Sequence, residues 1–153
     1  MKLDFILVTI KNVDNYKDKI QKFFEDNKDD EILFSPHSLS IEGFLTEIVN
    51  KKYDVYCFAI VEKEICAYGI LRGWDEGFKI PSLGIMISKN FRGKGLSYIM
   101  MQHLHDLTKE RGYNQIRLRV LKQNYKAISL YKKLGYTLNV DFDEDKFIGV
   151  KTL

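Results

Sequence analysis

Ser88-Lys89-Asn90-Phe91-Arg92-Gly93-Lys94-Gly95-Leu96-Ser97 is the stretch on which the reading of this chain turns. Upstream, residues 82–88 (SLGIMIS) are almost continuously apolar, as a central strand buried on both faces is. Downstream, Ile99, Met100, His103, Leu104 and Leu107 recur at helical spacing. A basic, glycine-containing turn therefore joins a buried strand to the first turn of an amphipathic helix. Helix N-termini carry unpaired N–H groups and a partial positive charge, so anions bind there. Gly93 and Gly95 let the backbone approach a phosphate with no Cβ in the way, while Arg92 and Lys94 bring counter-charge. Neither familiar phosphate loop fits. The four residues that a Walker A loop sets between its first Gly and its Gly-Lys-Ser/Thr are missing, and Leu96-Ser97-Tyr98 lacks the third glycine of a dinucleotide fingerprint. Alone, the turn reads equally well as an anion cradle or as a basic surface turn that starts a helix.

A second string changes that weighing. Asn124-Tyr125-Lys126-Ala127-Ile128-Ser129-Leu130-Tyr131-Lys132-Lys133-Leu134-Gly135-Tyr136 follows a strand-like run at 116–120. Its pattern, N-x-x-A-x-x-L-Y-x-x-x-G-Y, closely resembles the second signature of the GNAT superfamily of acyl-CoA-dependent N-acetyltransferases. Residues 92–97 resemble the first signature, Gln/Arg-x-x-Gly-x-Gly/Ala, departing only at Ser97, which is still small and could cap the helix or touch a phosphate. The resemblance covers residues 83–140; before Val55 only the order of elements matches.

The resemblance implies a mixed α/β (α+β) fold, a central twisted, mostly antiparallel sheet flanked by helices, with acetyl-CoA as co-substrate. It gives the pantetheine arm to the main chain of Ile85, Met86 and Ile87, on a strand that splays from its neighbour. The pyrophosphate falls to the main chain of Arg92, Gly93, Lys94, Gly95, Leu96 and Ser97. Asn124 would touch the cofactor near its pantetheine end, and Ala127 would leave room for it. Tyr131 would serve as general acid on the departing thiolate, a role that makes chemical sense because a phenol can protonate or stabilise that sulfur. The alternative for Tyr131 is a helix-packing aromatic.

The rest of the chain reads consistently. Residues 5–10 alternate as a strand; Asp14 or Asn15 could cap a helix carrying Ile20, Phe23 and Phe24. Residues 26–38 are polar, broken by Pro36, and read as loop, with a second helix from Ser40. Residues 55–61 and 65–71 form an antiparallel hairpin across Glu62-Lys63-Glu64. Residue 116 opens a strand with Ile116, Leu118 and Val120 on one face and Arg117 and Arg119 on the other. A short helix at 127–134 and a closing hairpin, 136–140 with 147–150, complete one domain over residues 1–153.

A net charge of +3 with interleaved lysines and acids gives no basic stripe, so a nucleic-acid partner is not expected and that function ranks third. No apolar run approaches a membrane span and no signal peptide is evident, which points to a cytoplasmic protein without a membrane partner. Cys57 and Cys66 read as buried, reduced thiols, with a disulfide across the hairpin as the lesser alternative. His103 and His105 do not share a helix face, His37 sits alone in a loop, and no cluster has zinc spacing, so no metal is expected.

The general base is the open half of the chemistry. The strand at 82–88 carries no carboxylate, so Asp75 and Glu76, in a glycine-flanked loop, become the candidates, against the alternative of a solvated acidic loop. Trp74 and Phe78 could line an acceptor pocket or cover the sheet edge. The leading function is direct transfer of an acetyl group to a primary amine of a small molecule or peptide; the missing strand carboxylate motivates a second, a non-catalytic acyl-CoA-binding sensor or partner-binding module. Asp75 and Glu76 favour a cationic acceptor, whereas Arg72 and Lys79 suit an anionic one. The oligomeric state stays open, a homodimer included.

Overall fold

The computed structural model describes residues 2–32 and 36–153. Seven strands make one sheet in the order β1-β2-β3-β4-β5-β7-β6. They are β1 (Asp4–Leu7), β2 (Val55–Val61), β3 (Glu64–Arg72), β4 (Ser82–Ile87), β5 (Gln115–Leu121), β6 (Thr137–Val140) and β7 (Lys146–Thr152). Every neighbouring pair is antiparallel except β4 and β5. Four helices flank it: α1 (Lys17–Asp26), α2 (Ile41–Ile48), α3 (Leu96–Glu110) and α4 (Tyr125–Lys133). The mixed, mostly antiparallel fold expected from the motifs is therefore the one observed.

The period-2 alternation of the strands sends side chains into two cores. On one face Ile20, Phe23 and Phe24 of α1 and Phe44 and Ile48 of α2 pack on Phe58, Tyr68 and Ile70. Phe58 and Tyr68 stack across β2 and β3 at 4.4 Å. On the other face Met100, Met101 and Leu104 of α3 and Tyr131 of α4 cover Ala67, Leu83, Ile116 and Leu118. Gly69 is what lets α3 lie so close, because a Cβ there would sit 2.8 Å from Leu104. Cys57 and Cys66 are buried free thiols in these strands, and burial pushes Cys57 up to about 12, where it is inert.

Several local expectations are corrected. β1 stops at Leu7 because Asn12 folds back, accepting from Thr9 N–H at 2.8 Å and donating to the Leu7 carbonyl at 2.9 Å. Asp14 and Asn15 lie in a 3-10 turn (Val13–Asn15), and Tyr16, with no side-chain cap, precedes α1. Asp14 instead pairs with Lys17 at 2.8 Å. Within the loop at 26–38, Lys28–Ile32 winds into a 3-10 turn, and residues 33–35 lie outside the described residues. Ser40 caps α2 as expected, accepting from Gly43 N–H at 2.9 Å. Among the described residues no helix is long and apolar enough to cross a membrane, and no group of three or more His, Cys, Asp or Glu is placed to hold a metal ion.

Candidate functional site

The parallel pair is where the sheet opens. β4 and β5 are in register only at Ser82↔Arg117 and Leu83↔Leu118, extended by a 3.0 Å bond from Arg117 N–H to the Pro81 carbonyl. Past Leu83, β4 keeps its partner β3 on one side and, among the described residues, has none on the other. A cleft of about 840 Å³ enters that opening, within the range of small-molecule sites. Ile85, Met86 and Ile87 line it.

At one end of the cleft stands the turn before α3. Gly93 and Gly95 both sit at φ +76°, a left-handed conformation that strains any residue with a Cβ. Among the described residues, no main-chain N–H of residues 92–98 donates to a protein acceptor; the first helical bond is Ile99 N–H to the Gly95 carbonyl, 3.3 Å. Arg92, Gly93, Gly95, Leu96 and Ser97 line the cleft. Lys94 does not, and its ammonium lies over the Phe91 ring at 5.6 Å. Ser97 is not the cap of α3; Gly95 holds that position. Arg92 is already engaged, donating from Nε to the Ile87 carbonyl at 3.4 Å and pairing with Asp30. That pairing is invisible in sequence because Asp30 lies 62 residues away, in the turn between α1 and α2.

The opposite wall comes from α4. Asn124 is its N-cap, accepting from Ala127 N–H at 3.4 Å, and both residues line the cleft beside Tyr131. Tyr131 is only 7% exposed, and burial pushes its phenol up to about 12. Its ring lies 5.8 Å from Tyr136, whose hydroxyl meets His105 Nε2 at 2.7 Å. Burial first, then the charge of Lys151, lowers His105 to about 4 and keeps it neutral.

The two acidic candidates separate. Asp75 turns away from the cleft and clips the loop before β2: its carboxylate accepts from the N–H groups of Lys52 (2.8 Å), Tyr53 (3.1 and 3.2 Å) and Asp54 (2.7 Å). Asp54 returns the contact by accepting from Asp75 N–H at 3.1 Å. Although desolvation raises the Asp75 carboxyl, these N–H donors win and hold it below its usual value. Glu76 is exposed and lines the cleft. Trp74 is buried against Tyr113 at 5.1 Å with Arg111 above it, so only Phe78 of the two aromatics reaches the cleft.

His37 is not alone: it meets Tyr68 at 2.7 Å and packs edge-on to Phe24 and Phe44. His103 stacks on Phe5 at 3.9 Å. Site-lining residues that the motifs did not reveal include Ser82, Arg117, Arg119 and Lys146. The strand alternation had put Arg117 and Arg119 on one face, but nothing in sequence says that this face borders a cavity.

A family model described as the Acetyltransferase (GNAT) family matches residues 19–136. Streptothricin acetyltransferase of Streptomyces lavendulae is 32% identical over 63 residues, 41% of this chain and 32% of that protein. Thialysine N-epsilon-acetyltransferase of Sus scrofa is 34% identical over 68 residues, 44% of this chain and 39% of that protein. The chain thus spans between three and four tenths of the length of these curated relatives. Among solved structures, the PaiA N-acetyltransferase of Thermoplasma acidophilum, in complex with coenzyme A, superposes with a TM-score of 0.75 at 18% identity over 100% of both chains. The GNAT domain of S. lividans PAT gives 0.80 at 15% identity, over 97% of this chain and 89% of that one.

Proposed function

Because the chain belongs to the GNAT acetyltransferase family, we propose that it moves an acetyl group from acetyl-CoA to a primary amine of a small molecule or peptide by direct transfer. One observation carries this reading: β4 and β5 part immediately downstream of Leu83, and the cleft between them ends on a row of main-chain N–H groups with no protein acceptor. An elongated ligand with an anionic end fits that shape. The coenzyme A complex of the T. acidophilum protein of the same fold supports the donor. The name of the Sus scrofa relative, an N-epsilon-acetyltransferase, supports an amine acceptor.

The residues divide the work in the following way. The N–H groups of residues 92–97, at the positive end of α3, hold the pyrophosphate. Along the unpaired edge of β4 at Ile85, Met86 and Ile87, the outward main-chain groups of Ile85 and Ile87 hydrogen-bond the pantetheine arm as a neighbouring strand would, and Asn124 and Ala127 flank it. Of the two candidate N–H groups, that of Met86 faces Tyr68 in the ladder with β3, and that of Ile87 faces the open edge and polarises the thioester carbonyl. Glu76, the carboxylate that lines the cleft, takes the proton of the acceptor ammonium through water. The amine nitrogen then attacks the thioester carbon, the C–N bond forms and the C–S bond breaks, and the proton the nitrogen sheds on becoming an amide passes through water to the departing thiolate, which leaves as the thiol. Tyr131 faces the departing sulfur. With its phenol near 12, above an ordinary thiol at about 8.5, it acts mainly as a hydrogen-bond donor that stays protonated.

Acetyl-CoA titration by calorimetry, followed by thiol release with a panel of amines, tests this reading. Binding in the micromolar range and amine-dependent thiol release are expected; absence of binding ends it. The carboxylate-free run of β4 favours a second reading, an acyl-CoA sensor, which requires binding with no thiol release for any amine.

A further inference from the structure

The cleft continues past the opening of β4 and β5 onto the face of the sheet covered by α1 and α2. The strand register places Arg72, Ser82, Arg117 and Val150 in one row across β3, β4, β5 and β7. Residues paired in this way project from the same face, with adjacent strands about 4.8 Å apart. Two arginines therefore flank Ser82 on the floor of the cleft.

Their charges are not equivalent. Arg72 is neutralised by Glu47 at 3.2 Å and donates to the Pro36 carbonyl at 2.8 Å. Arg119, one step along β5 on the same face, pairs with Asp141 at 2.5 Å, and Lys146 with Asp143 at 3.6 Å. Arg92, at the far end, pairs with Asp30. Among the described residues Arg117 has neither an ion pair nor a side-chain hydrogen bond, and its Nε is shut off from solvent with no acceptor. Lys126, the other cation of the lining without an ion pair among the described residues, is exposed at the start of α4. Unlike its neighbours, the Arg117 guanidinium keeps its charge unneutralised where it borders the cleft, and a ligand carboxylate can accept two parallel bonds from its Nη groups there. On the acidic side, Glu76 lines the same cleft, with no ion pair among the described residues.

We infer that the acceptor is a zwitterionic small molecule of the amino-acid type, whose carboxylate docks on Arg117 and whose ammonium faces Glu76. This rests on the acetyl-transfer reading and narrows it to a substrate class. A single unneutralised guanidinium on this floor matches a monoanion; a diphosphate of a nucleotide sugar would face one cation with its neighbours already paired. A polyamine or aminoglycoside would set an ammonium against Arg117 with no anion to offset it. The Ser82 hydroxyl, next in the row, is placed to donate a further bond to the same carboxylate.

The test uses matched acceptors: L-lysine, L-lysinamide and cadaverine; glycine and glycinamide; and spermidine as a polycation. Thiol release from acetyl-CoA is read for wild type, Arg117→Gln and Arg117→Lys, with acetyl-CoA affinity measured by calorimetry in each. The expected result is a preference of about tenfold to a hundredfold in kcat/KM for a carboxylate-bearing amine over its amide, the scale of a hydrogen-bonded charge. Arg117→Gln should bring that ratio near one, Arg117→Lys should restore part of it, and acetyl-CoA affinity should hold in both. Equal use of amide and acid, preference for cadaverine or spermidine, a ratio unmoved by Arg117→Gln, or no acetylation of any carboxylate-bearing amine would overturn the inference while leaving coenzyme binding intact. Failure of wild type to bind acetyl-CoA is a separate outcome, which removes the acetyl-transfer reading itself.

Discussion

Replacing Asp75 by Asn should damage the fold and spare the chemistry, while Glu76→Gln should do the reverse. Both oxygens of Asp75 are occupied: Oδ1 by the N–H groups of Lys52 and Tyr53, Oδ2 by those of Tyr53 and Asp54. An amide keeps one oxygen and turns its NH2 toward donors that need an acceptor. One charge-assisted bond to a main-chain N–H is lost outright and the remainder weakened. At roughly 1.5–3 kcal/mol for a charged hydrogen bond, reduced by partial exposure, the cost is about 2 kcal/mol. For a chain of this size that lowers Tm by roughly 4–8 °C. The folded Asp75 carboxyl is held low, so its contribution is present above the ordinary carboxylate pKa and is lost as pH falls through the folded value. The Tm gap between wild type and variant should therefore close on acidification below about pH 4. The assay pairs thermal denaturation with thiol release measured well below the variant's Tm. Glu76→Gln, exposed and unpaired, should keep Tm within about 1 °C and lower kcat/KM about tenfold or more. Loss of turnover in Asp75→Asn at unchanged Tm, or wild-type turnover in Glu76→Gln, would refute the assignment.

Gly95→Ala forces a Cβ into the left-handed region at the N-cap of α3, at a cost of about 1–2 kcal/mol, and sets a methyl group beside the N–H row. Calorimetry should show acetyl-CoA binding weakened by about tenfold or more, with full affinity counting against the cradle. Tyr131→Phe should lower kcat by roughly ten- to a hundredfold and leave the coenzyme Kd alone. Because the phenol lies near 12, the wild-type rate should show no decline between pH 8 and 10 that this substitution removes. His105 is neutral in the fold and sits near 4, below its unfolded value of about 6.5, so its stabilising effect is complete above 6.5 and is lost as pH falls toward 4. That loss is at most about 3 kcal/mol. Denaturant titrations of His105→Gln should accordingly show a flatter dependence over this window than wild type; identical slopes would mean that Tyr136 and His105 are not coupled to folding.

What the sequence could show and what it could not divide along a physical line. Residues 92–97 and 124–136 were readable because each motif is contiguous: turn, glycines and helix start lie within one short run. The strands at 55–61 and 82–87 were readable because periodicity is a local property. Asp75 was misplaced because its partners are main-chain N–H groups more than twenty residues away, which carry no residue-type signal. His37 looked solitary for the same reason, its partner Tyr68 lying on β3. The special status of Arg117 was hidden more deeply. Its alternation with Arg119 was plain, but only the fold shows that Asp141 reaches Arg119, that Glu47 reaches Arg72, and that neither reaches Arg117.

The two-residue ladder between β4 and β5 has a mechanical consequence. It divides the sheet into plates of four and three strands, β1 to β4 and β5, β7, β6, joined by Ser82, Leu83 and the helix-capped crossover of α3. Most proteins cover or charge an exposed strand edge at the periphery; here one runs through the middle of the molecule and borders the cleft. A bound pantetheine arm would serve as the missing rung, stitching the plates into a single continuous sheet. Amide exchange of Ile85 and Ile87, whose N–H groups face away from β3, should then slow far more on coenzyme binding than that of Met86, β2 or β7, so that the proposed donor would act as a removable splint of the fold as well as a reactant.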